Sequence, residues 1–487
     1  MEAASQQQRG HYKQELDRGL HVLGNVMLTI SGVAPAASVF ILAPIALYIA
    51  GTGAFYAFVI GGVIGVGMAF CYAEAGTAFP VTGGEWALVS RILGRPLGFI
   101  SLVFMLVSVI VIPSSLAVGA GQYLSVIWPG QNPNLVGAII MLVVGGLAVL
   151  QIKTNSIIQG ILLGVELIAV LAITILGFAH VHQSGMVLLQ PTAFDGNKSM
   201  AVAFGTVMTA VGIAIFAYNG YGGAIVFSEE TKGARRNVAR AILWTLLITI
   251  LVELIPVTAA ILGAPSLSDF MSAATPMSYI LTNLGNGTLN TVVSLLVFVA
   301  VFNSCLAIVV LMSRIIFGSG RDKIWPEPIS TWLAKVHPRF KSPWVAAIVM
   351  AVIGAILTAS TSKFAVITFT GVVLVFTYAL IAISAIVVRI RNKDLPAHYK
   401  MPAWPLWPIV ALIGVGYVIS QQSWKDLVIV IAFAIGALIY YYGYLYPRRG
   451  KRWIMLDCLE EGAEECDPAD LVSAPVPFPV DTKPPVM

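Results

Sequence analysis

Charged residues are scarce in this chain: Asp, Glu, Lys and Arg make up 10% of its 487 residues. Soluble globular domains carry about 25% charge, so the composition excludes an ordinary soluble domain. With 58% hydrophobic residues and a mean hydropathy of +0.88, the chain is typical of a polytopic membrane protein. The net charge of +5 does not indicate nucleic-acid binding, because the basic residues lie between apolar segments.

Cysteine and catalytic motifs are also sparse. The four cysteines lack metal-ligand spacing, and the sequence contains no HExxH, P-loop, nucleophile elbow or dinucleotide fingerprint. We therefore expect no metal site, no cofactor and no enzymatic activity, with a membrane enzyme as a distant alternative. The first apolar run follows a polar arm and lacks a convincing cleavage site, so no cleavable signal peptide is expected.

Long apolar runs dominate the remainder. A membrane-spanning helix needs about 20 apolar residues, and this length predicts twelve spans. They lie near 21–50, 53–79, 97–127, 134–152, 156–178, 200–228, 238–262, 288–317, 343–360, 364–388, 404–421 and 425–446.

The distribution of Lys and Arg predicts the orientation. With the N-terminus in the cytoplasm, 25 of the 28 basic residues fall in cytoplasmic segments, which satisfies the positive-inside rule. Both termini are therefore predicted to be cytoplasmic, in a multi-pass protein of the plasma (inner) membrane. The outer loop 179–198 is expected to be a solvated excursion, and the amphipathic loop 264–287 to form a short helix. The acidic, Pro-rich tail is expected to be disordered.

Two small-residue interruptions organise the predicted spans. Residues 31–38 interrupt the first span and residues 216–223 interrupt the sixth. Unwound backbone is tolerated inside a bilayer only where protein or a water-filled cavity satisfies its polar groups. Two interrupted spans at corresponding positions indicate a midplane substrate site in a transporter built from inverted repeats. The alternative for each interruption is ordinary packing of small residues between helices.

Such breaks can bind a zwitterion. Half-helix N–H groups attract a carboxylate, and unwound carbonyl groups attract an ammonium group or a metal cation. Aromatic residues beside the second break could gate the site or stack on an ammonium group, although packing is the ordinary role of such residues. The predicted substrate-binding residues are Ser31, Gly32, Pro35, Ala36, Ala37, Ser38, Phe216, Ala217, Tyr218, Asn219, Gly220 and Tyr221.

Two carboxyl groups lie inside predicted spans. Glu166 occupies the middle of the fifth span, where an ionised carboxylate costs at least about 2.5 kcal/mol, and such residues commonly serve ion or proton pathways. Its alternative role is a permanently protonated hydrogen-bonding group. For Glu253, three residues before Pro256, we favour a structural role: a protonated carboxyl that satisfies the backbone freed by the proline, or one facing the outer water.

Several separated motifs resemble the amino acid–polyamine–organocation (APC) transporter superfamily. The most specific runs from Tyr72 to Trp86 (YAEAGTAFPVTGGEW) and is similar to the family pattern at the end of helix 2 and the following loop. Residues 93–99 (LGRPLGF) continue this match. Residues 227–242 resemble the family's helix 6–7 junction, and residues 313–326 resemble its helix 8–9 loop. The resemblance covers roughly residues 18–446.

The resemblance implies an all-α membrane protein with twelve helices, a LeuT-like five-plus-five inverted repeat, interrupted helices 1 and 6, and alternating access. It divides the chain into a cytoplasmic arm (1–18), a transporter domain (19–446) and a cytoplasmic tail (447–487). By position, the substrate carboxylate would bind at Ala36, Ala37 and Ser38. The substrate amine would bind at Phe216, Ala217 and Asn219, with Phe216 at the family's aromatic gate.

This chain departs from the family pattern at two places. Many members have a Gly-Ser-Gly type run where this chain has Ala36-Ala37-Ser38 after Pro35, and some amine and polyamine importers share that proline. Some proton-coupled members have a lysine at the position of Glu166. A carboxylate there could carry a proton, bind sodium with Asn303 or Ser304, or pair with a cationic substrate.

The sequence therefore predicts a secondary active transporter that imports an amino acid, amine or polyamine, with coupling to protons through Glu166. The alternatives are an uncoupled facilitator or exchanger and a non-transporting sensor. Candidate gating residues are Glu74, Glu85, Glu229 and Glu230, for which surface salt bridges are the alternative. The expected partners are the small-molecule substrate, H⁺ and the lipid bilayer, without nucleic acid.

Overall fold

Helices form most of the chain. The computed structural model describes residues 19–79, 84–195, 198–273, 275–360, 363–391, 399–449 and 451–453. The α-helices, in chain order, are α1 Val22–Val33, α2 Pro35–Ala37, α3 Ala43–Ala50, α4 Ala54–Ala78, α5 Glu85–Ile92, α6 Arg95–Ile127, α7 Pro133–Ala148, α8 Ile152–Ala179, α9 Met186–Leu189, α10 Phe204–Tyr218, α11 Ala234–Gly263, α12 Leu267–Ser272, α13 Pro276–Ile280, α14 Gly287–Arg321, α15 Glu327–Leu333, α16 Trp344–Ser360, α17 Lys363–Arg391, α18 Leu406–Ser420 and α19 Trp424–Tyr440.

Short segments of other helical types adjoin these α-helices. Wider π-helical turns are Ser38–Leu42, Leu281–Gly285 and Tyr441–Leu445. Tighter 3₁₀ turns are Gly51–Gly53, Tyr221–Ile225, Ser228–Glu230 and Tyr446–Arg448. The short helix predicted within 264–287 is present as the pair α12 and α13.

A β-hairpin precedes α10 and corrects the sequence prediction there. Its antiparallel strands are β1 Thr192–Asp195 and β2 Lys198–Ala201, with Thr192 opposite Ala201. The backbone N–H of Thr192 donates to the hydroxyl of Thr52 at 2.9 Å, so the hairpin is attached to the turn between α3 and α4. The loop 179–198 is therefore not only a solvated excursion, and the sixth apolar helix begins at Phe204 rather than at residue 200.

Eight helical stretches among the described residues are long and apolar enough to cross a membrane. They are Val22–Ala78, Arg95–Ser125, Ile152–Ala179, Phe204–Ile225, Arg236–Gly263, Gly287–Arg321, Val372–Arg391 and Trp424–Arg448. Three shorter apolar helices are Pro133–Ala148, Trp344–Ser360 and Leu406–Ser420. The chain is therefore an all-helical multi-pass membrane protein in its described part, apart from the one hairpin.

The interrupted segments lie against the longest helices. Helix α1 packs on α8, α11 and α14, and α10 packs on α3, α4 and α17. Helix α6 lies beside α14, α7 and α17. These neighbours pack the interrupted segments against protein, which is one of the conditions under which irregular backbone is tolerated at membrane depth.

Packed structure continues beyond residue 446, where the transporter domain was predicted to end. Trp453 is 1% exposed, and its ring lies 6.2 Å from that of Trp86 and 5.9 Å from that of Phe99. The guanidinium of Arg452 lies 2.8 Å from the carboxylate of Glu327. The predicted boundary is therefore too early. The predicted disordered tail from 454 onward, and the N-terminal arm, lie outside the described residues.

Candidate functional site

The break in the first segment is confined to one residue. Helix α1 ends at Val33, Ala34 adopts a left-handed conformation (φ 66°, ψ 60°), and α2 begins at Pro35. A proline disfavours helical geometry in the residue before it, which explains the position of the break. Of the predicted stretch, Ser31 and Gly32 remain in α1 and Ser38 begins the π-helical turn, so the break is narrower than predicted.

The break in the sixth segment requires a glycine. Helix α10 ends at Tyr218, Asn219 is extended, and Gly220 has φ 130°. A Cβ atom on Gly220 would lie 2.9–3.1 Å from Val33, including its backbone N and Cα. The two breaks are therefore in direct contact. The hydroxyl of Ser38 also donates to the carbonyl of Ala217 at 3.0 Å, which ties the first interrupted segment to the end of α10.

Both breaks open onto one cavity, which encloses about 860 Å³ of space free of atoms, part of it open solvent. Six of the twelve predicted substrate-binding residues line it: Gly32, Ala37, Ser38, Phe216, Asn219 and Gly220. The other six do not. Tyr218 and Tyr221 are buried in ring contacts with Phe58 and Tyr72 respectively, so they act in packing here.

Most of the remaining cavity wall was not predicted. It comes from α6, α14 and α17, through apolar residues such as Met105, Ile112 and Leu311, and hydroxyl groups of Ser108 and Thr377. These residues belong to uniformly apolar segments and have no distinguishing pattern in the sequence. Only the tertiary packing places them at the cavity.

Glu166 is hydrogen-bonded to the backbone just after the first break. Its Oε1 accepts a hydrogen bond from the backbone N–H of Ala36 at 2.7 Å, and the residue is fully buried. Since Pro35 has no N–H, Ala36 supplies the first backbone donor of α2. Asn303 on α14 lies near the same carboxyl but has no hydrogen bond of ordinary geometry to it, while Ser304 donates to the carbonyl of Ala300 in its own helix at 3.0 Å.

This contact bears on the carboxylate site that the resemblance assigned to residues 36–38. The N–H of Ala36 is already bonded to a carboxyl group of the protein itself. Similarly, the carbonyl of Phe216 accepts the N–H of Asn219 at 3.1 Å. The cavity therefore offers a substrate the surfaces of Ala37, Ser38 and Asn219, rather than wholly unpaired half-helix termini.

Glu253 differs from both structural roles considered for it. Its exposed fraction is 0%, which excludes contact with outer water. Within the described chain neither carboxyl oxygen has a hydrogen bond of ordinary geometry, so it does not satisfy backbone freed by Pro256. Ser38 and Tyr218 are side chains at the breaks that lie near it without a hydrogen bond of ordinary geometry.

The candidate gating residues fall into different environments. Glu230 forms a buried two-point ion pair with Arg314 (Oε2–Nε 2.7 Å, Oε1–Nη2 3.0 Å), and its carbonyl accepts the N–H of Leu20 at 2.9 Å. Glu74, also buried, accepts the N–H of Met401 at 2.8 Å and lies 3.4 Å from Arg389. Neither is the surface salt bridge offered as the alternative. The side chain of Glu229 lies outside the described part.

A family model described as amino acid permease matches residues 20–450. This chain belongs to the amino acid permease family. The permease resembles the branched-chain amino acid permease BcaP of Bacillus subtilis (23% identity, covering 88% of this chain and 94% of the relative).

Two further relatives from Bacillus subtilis have other stated substrates. A methylthioribose transporter is 24% identical, covering 82% of the permease and 87% of the relative. The serine/threonine exchanger SteT is 23% identical, and the match covers 80% of the permease and 88% of SteT. All three are transporters, which confirms the resemblance to the APC superfamily and the expectation that the chain is not an enzyme.

Proposed function

We propose that this permease is a secondary active transporter that imports an amino acid, an amine or a polyamine across the plasma membrane by alternating access. The observation that supports this most directly is the contact between the two helix breaks at one cavity. The exchange of contacts at such a junction could expose the cavity to one side of the membrane and then to the other.

The proposal includes a twelve-helix topology. The stretch Val22–Ala78 has 57 residues, which at 1.5 Å per residue would be about 85 Å long as a continuous helix, nearly three times the bilayer core. We therefore assign it two crossings, joined at Gly51–Gly53. With the seven other long stretches and the three shorter apolar helices, this gives twelve, arranged as a LeuT-like five-plus-five inverted repeat with both termini in the cytoplasm.

Coupling to protons is assigned to Glu166. When its carboxyl is ionised, the hydrogen bond from Ala36 is charge-assisted, and such bonds are roughly twice as strong as neutral ones. Protonation would weaken this bond and loosen α2 from α8. That release would permit the inward-facing state, so the movement of a proton would accompany the movement of substrate.

The test is uptake into proteoliposomes of labelled neutral and basic amino acids, GABA, choline, ethanolamine and putrescine, with and without an inward proton or sodium gradient. We expect proton-driven accumulation by the wild type and its loss in Glu166→Gln. Glu327→Gln, which changes an exposed carboxylate that pairs with Arg452 and does not line the cavity, is the matched control. Proton-driven accumulation that survives in Glu166→Gln would refute the coupling role.

An exchanger is the second candidate, favoured by the similarity to SteT. It would show uptake that depends on substrate loaded inside the vesicle and that ignores both ion gradients. Such a result would keep the transport assignment and replace the coupling mechanism.

A further inference from the structure

Glu85 is unlike the other two carboxylates described at the gate. Glu230 pairs with Arg314, and Glu74 lies beside Arg389. Glu85 has no Lys or Arg partner in the described part of the chain, and its hydrogen-bond donor there is the phenol of Tyr72, which donates to Oε1. Glu85 is half-buried. A carboxylate that is partly removed from water and has no cation beside it can be stabilised by a positive group supplied by a ligand.

The position of Glu85 is set by its element. It is the first residue of α5, directly after Gly84, whose φ of 67° suits glycine. A Cβ on Gly84 would lie 2.9 Å from the Val226 side chain, so α5 is held closely against the chain that follows the second break. Helix α6 also packs closely on α5, because a Cβ atom on Gly98 of α6 would lie 2.3 Å from the Cβ atom of Ser90 in α5.

Glu85 lines the same cavity as both helix breaks. Among the described residues that form its wall, it is the only one with a charged side chain. Gly32 and Ala34 from the first break and Phe216 and Asn219 from the second line the same space. A ligand held at the breaks therefore shares its cavity with an uncompensated carboxylate.

The carboxyl group of Glu85 gains or loses its proton near neutral pH. Burial raises the pKa of Glu85 to about 7, and the hydrogen bond from Tyr72 acts in the opposite direction. Among the described residues, the titratable side chains that interact with it are the phenols of Tyr72, Tyr221 and Tyr378, which supply no positive charge. Because the pKa is raised, the carboxylate form, which attracts a cation, predominates above pH 7 and is lost as the pH falls below it.

We propose that Glu85 binds a cationic ammonium group of the transported substrate, which makes the permease selective for a basic amino acid or a diamine over a neutral amino acid. The inference rests on the proposed transport function and names its substrate class. The ammonium group supplies the positive charge that the protein does not, and Glu85 is a specificity-determining residue rather than only a gate.

The test measures binding to the purified full-length protein, by calorimetry, for ornithine, putrescine and norvaline, the last being ornithine without its side-chain amine. Wild type, Glu85→Gln and the control Glu327→Gln are compared at pH 6 and pH 8, with and without added sodium. Glu85→Asp, which keeps the charge, serves as a second variant. Melting temperature and norvaline binding report whether each variant is folded.

We expect Glu85→Gln to weaken ornithine and putrescine binding at least about tenfold while changing norvaline affinity less than about twofold. In the wild type, the ornithine-to-norvaline affinity ratio should rise roughly tenfold from pH 6 to pH 8, because a group with a pKa of about 7 goes from about one-tenth to nine-tenths ionised. Glu85→Gln should abolish this rise, and Glu85→Asp should retain it.

Three results would overturn the inference. The first is an equal loss of ornithine and norvaline binding in Glu85→Gln, and the second is a wild type that binds norvaline but not ornithine. The third is displacement of ornithine by sodium at Glu85, which would make Glu85 a site for an inorganic cation. These failures are separable from failure of the transport proposal. If the vesicles take up norvaline but not ornithine, the transport proposal stands and the Glu85 assignment is wrong. If ornithine binds through Glu85 but no substrate enters the vesicles, the Glu85 assignment stands and the transport proposal is wrong.

Discussion

At the scale of single residues, buried carboxyl groups in this permease differ by whether they have a partner. Glu230 and Glu253 are both 0% exposed. Glu230 has a two-point ion pair with Arg314, whose guanidinium also lies 5.8 Å from the ring centroid of Phe227. Glu253 has no hydrogen bond of ordinary geometry within the described chain. Burial alone therefore does not indicate how much each carboxyl contributes to stability.

We predict that Glu230→Gln lowers the free energy of unfolding by about 3–5 kcal/mol, because it leaves Arg314 charged and unpaired in the interior. Glu253→Gln should change it by less than about 1 kcal/mol, because Glu253 has no ion pair to lose within the described chain and Gln matches its carboxyl group in size. Thermal or denaturant unfolding in detergent compares the two. Equal losses would show that the Glu230–Arg314 pair has no special role.

At the scale of elements, the two interrupted segments depend on close backbone approach. Gly220 has a φ of 130° and lies against Val33. A side chain at this position would therefore strain the backbone and clash with Val33. By contrast, a Cβ on Gly146 in α7 would meet nothing within 4 Å. The same substitution at the two positions therefore separates the geometry of the break from the general effect of glycine in a helix.

Gly220→Ala should cost about 1–3 kcal/mol in backbone strain alone, with a further penalty from the contact with Val33, and should abolish substrate binding. Gly146→Ala should be neutral or stabilising by up to about 1 kcal/mol, because Ala is favoured over Gly within a helix. Yield of folded protein, melting temperature and substrate binding are the measurements. A Gly220→Ala permease with normal stability and binding would contradict the contact between the breaks.

The interrupted elements also show how far local sequence patterns reach. The proline and small residues of the first segment predicted a break, and the break is present, but the sequence did not locate it at Ala34. Pro35 accounts for a break at the residue before it. The N–H of Ala36, just after the break, donates to Glu166, which lies 130 positions away, and this contact could not be predicted from the local sequence.

At the scale of the whole molecule, the segment after α19 is part of the packed structure. Trp453 contacts Trp86 and Tyr441, and its backbone N–H donates to the carbonyl of Lys323 at 3.4 Å. It therefore joins residues from three distant parts of the chain at one end of the helix assembly.

We predict that truncation after residue 446 destabilises the permease by about 3–5 kcal/mol, the usual cost of removing a large buried aromatic side chain. Truncation after residue 453 should leave stability unchanged. Trp453→Ala in the full chain should reproduce most of the first effect. Melting temperatures of the three proteins decide this, and equal melting of the 446 and 453 truncations would exclude a structural role for Trp453.

The class of protein, the apolar helices, the two interrupted segments and the unusual Glu166 could be predicted from the amino-acid sequence, because each depends on composition or on residues adjacent in the chain. Tertiary packing brings together the residues that share the cavity. Apolar positions such as Met105 and Leu311 resemble their neighbours in sequence, and only packing turns them toward the breaks. It also separated Glu85 from Glu74 and Glu230: the three look alike in sequence, but within the described part of the chain only Glu74 and Glu230 have an arginine nearby, since ion pairing depends on distances that the order of residues does not specify.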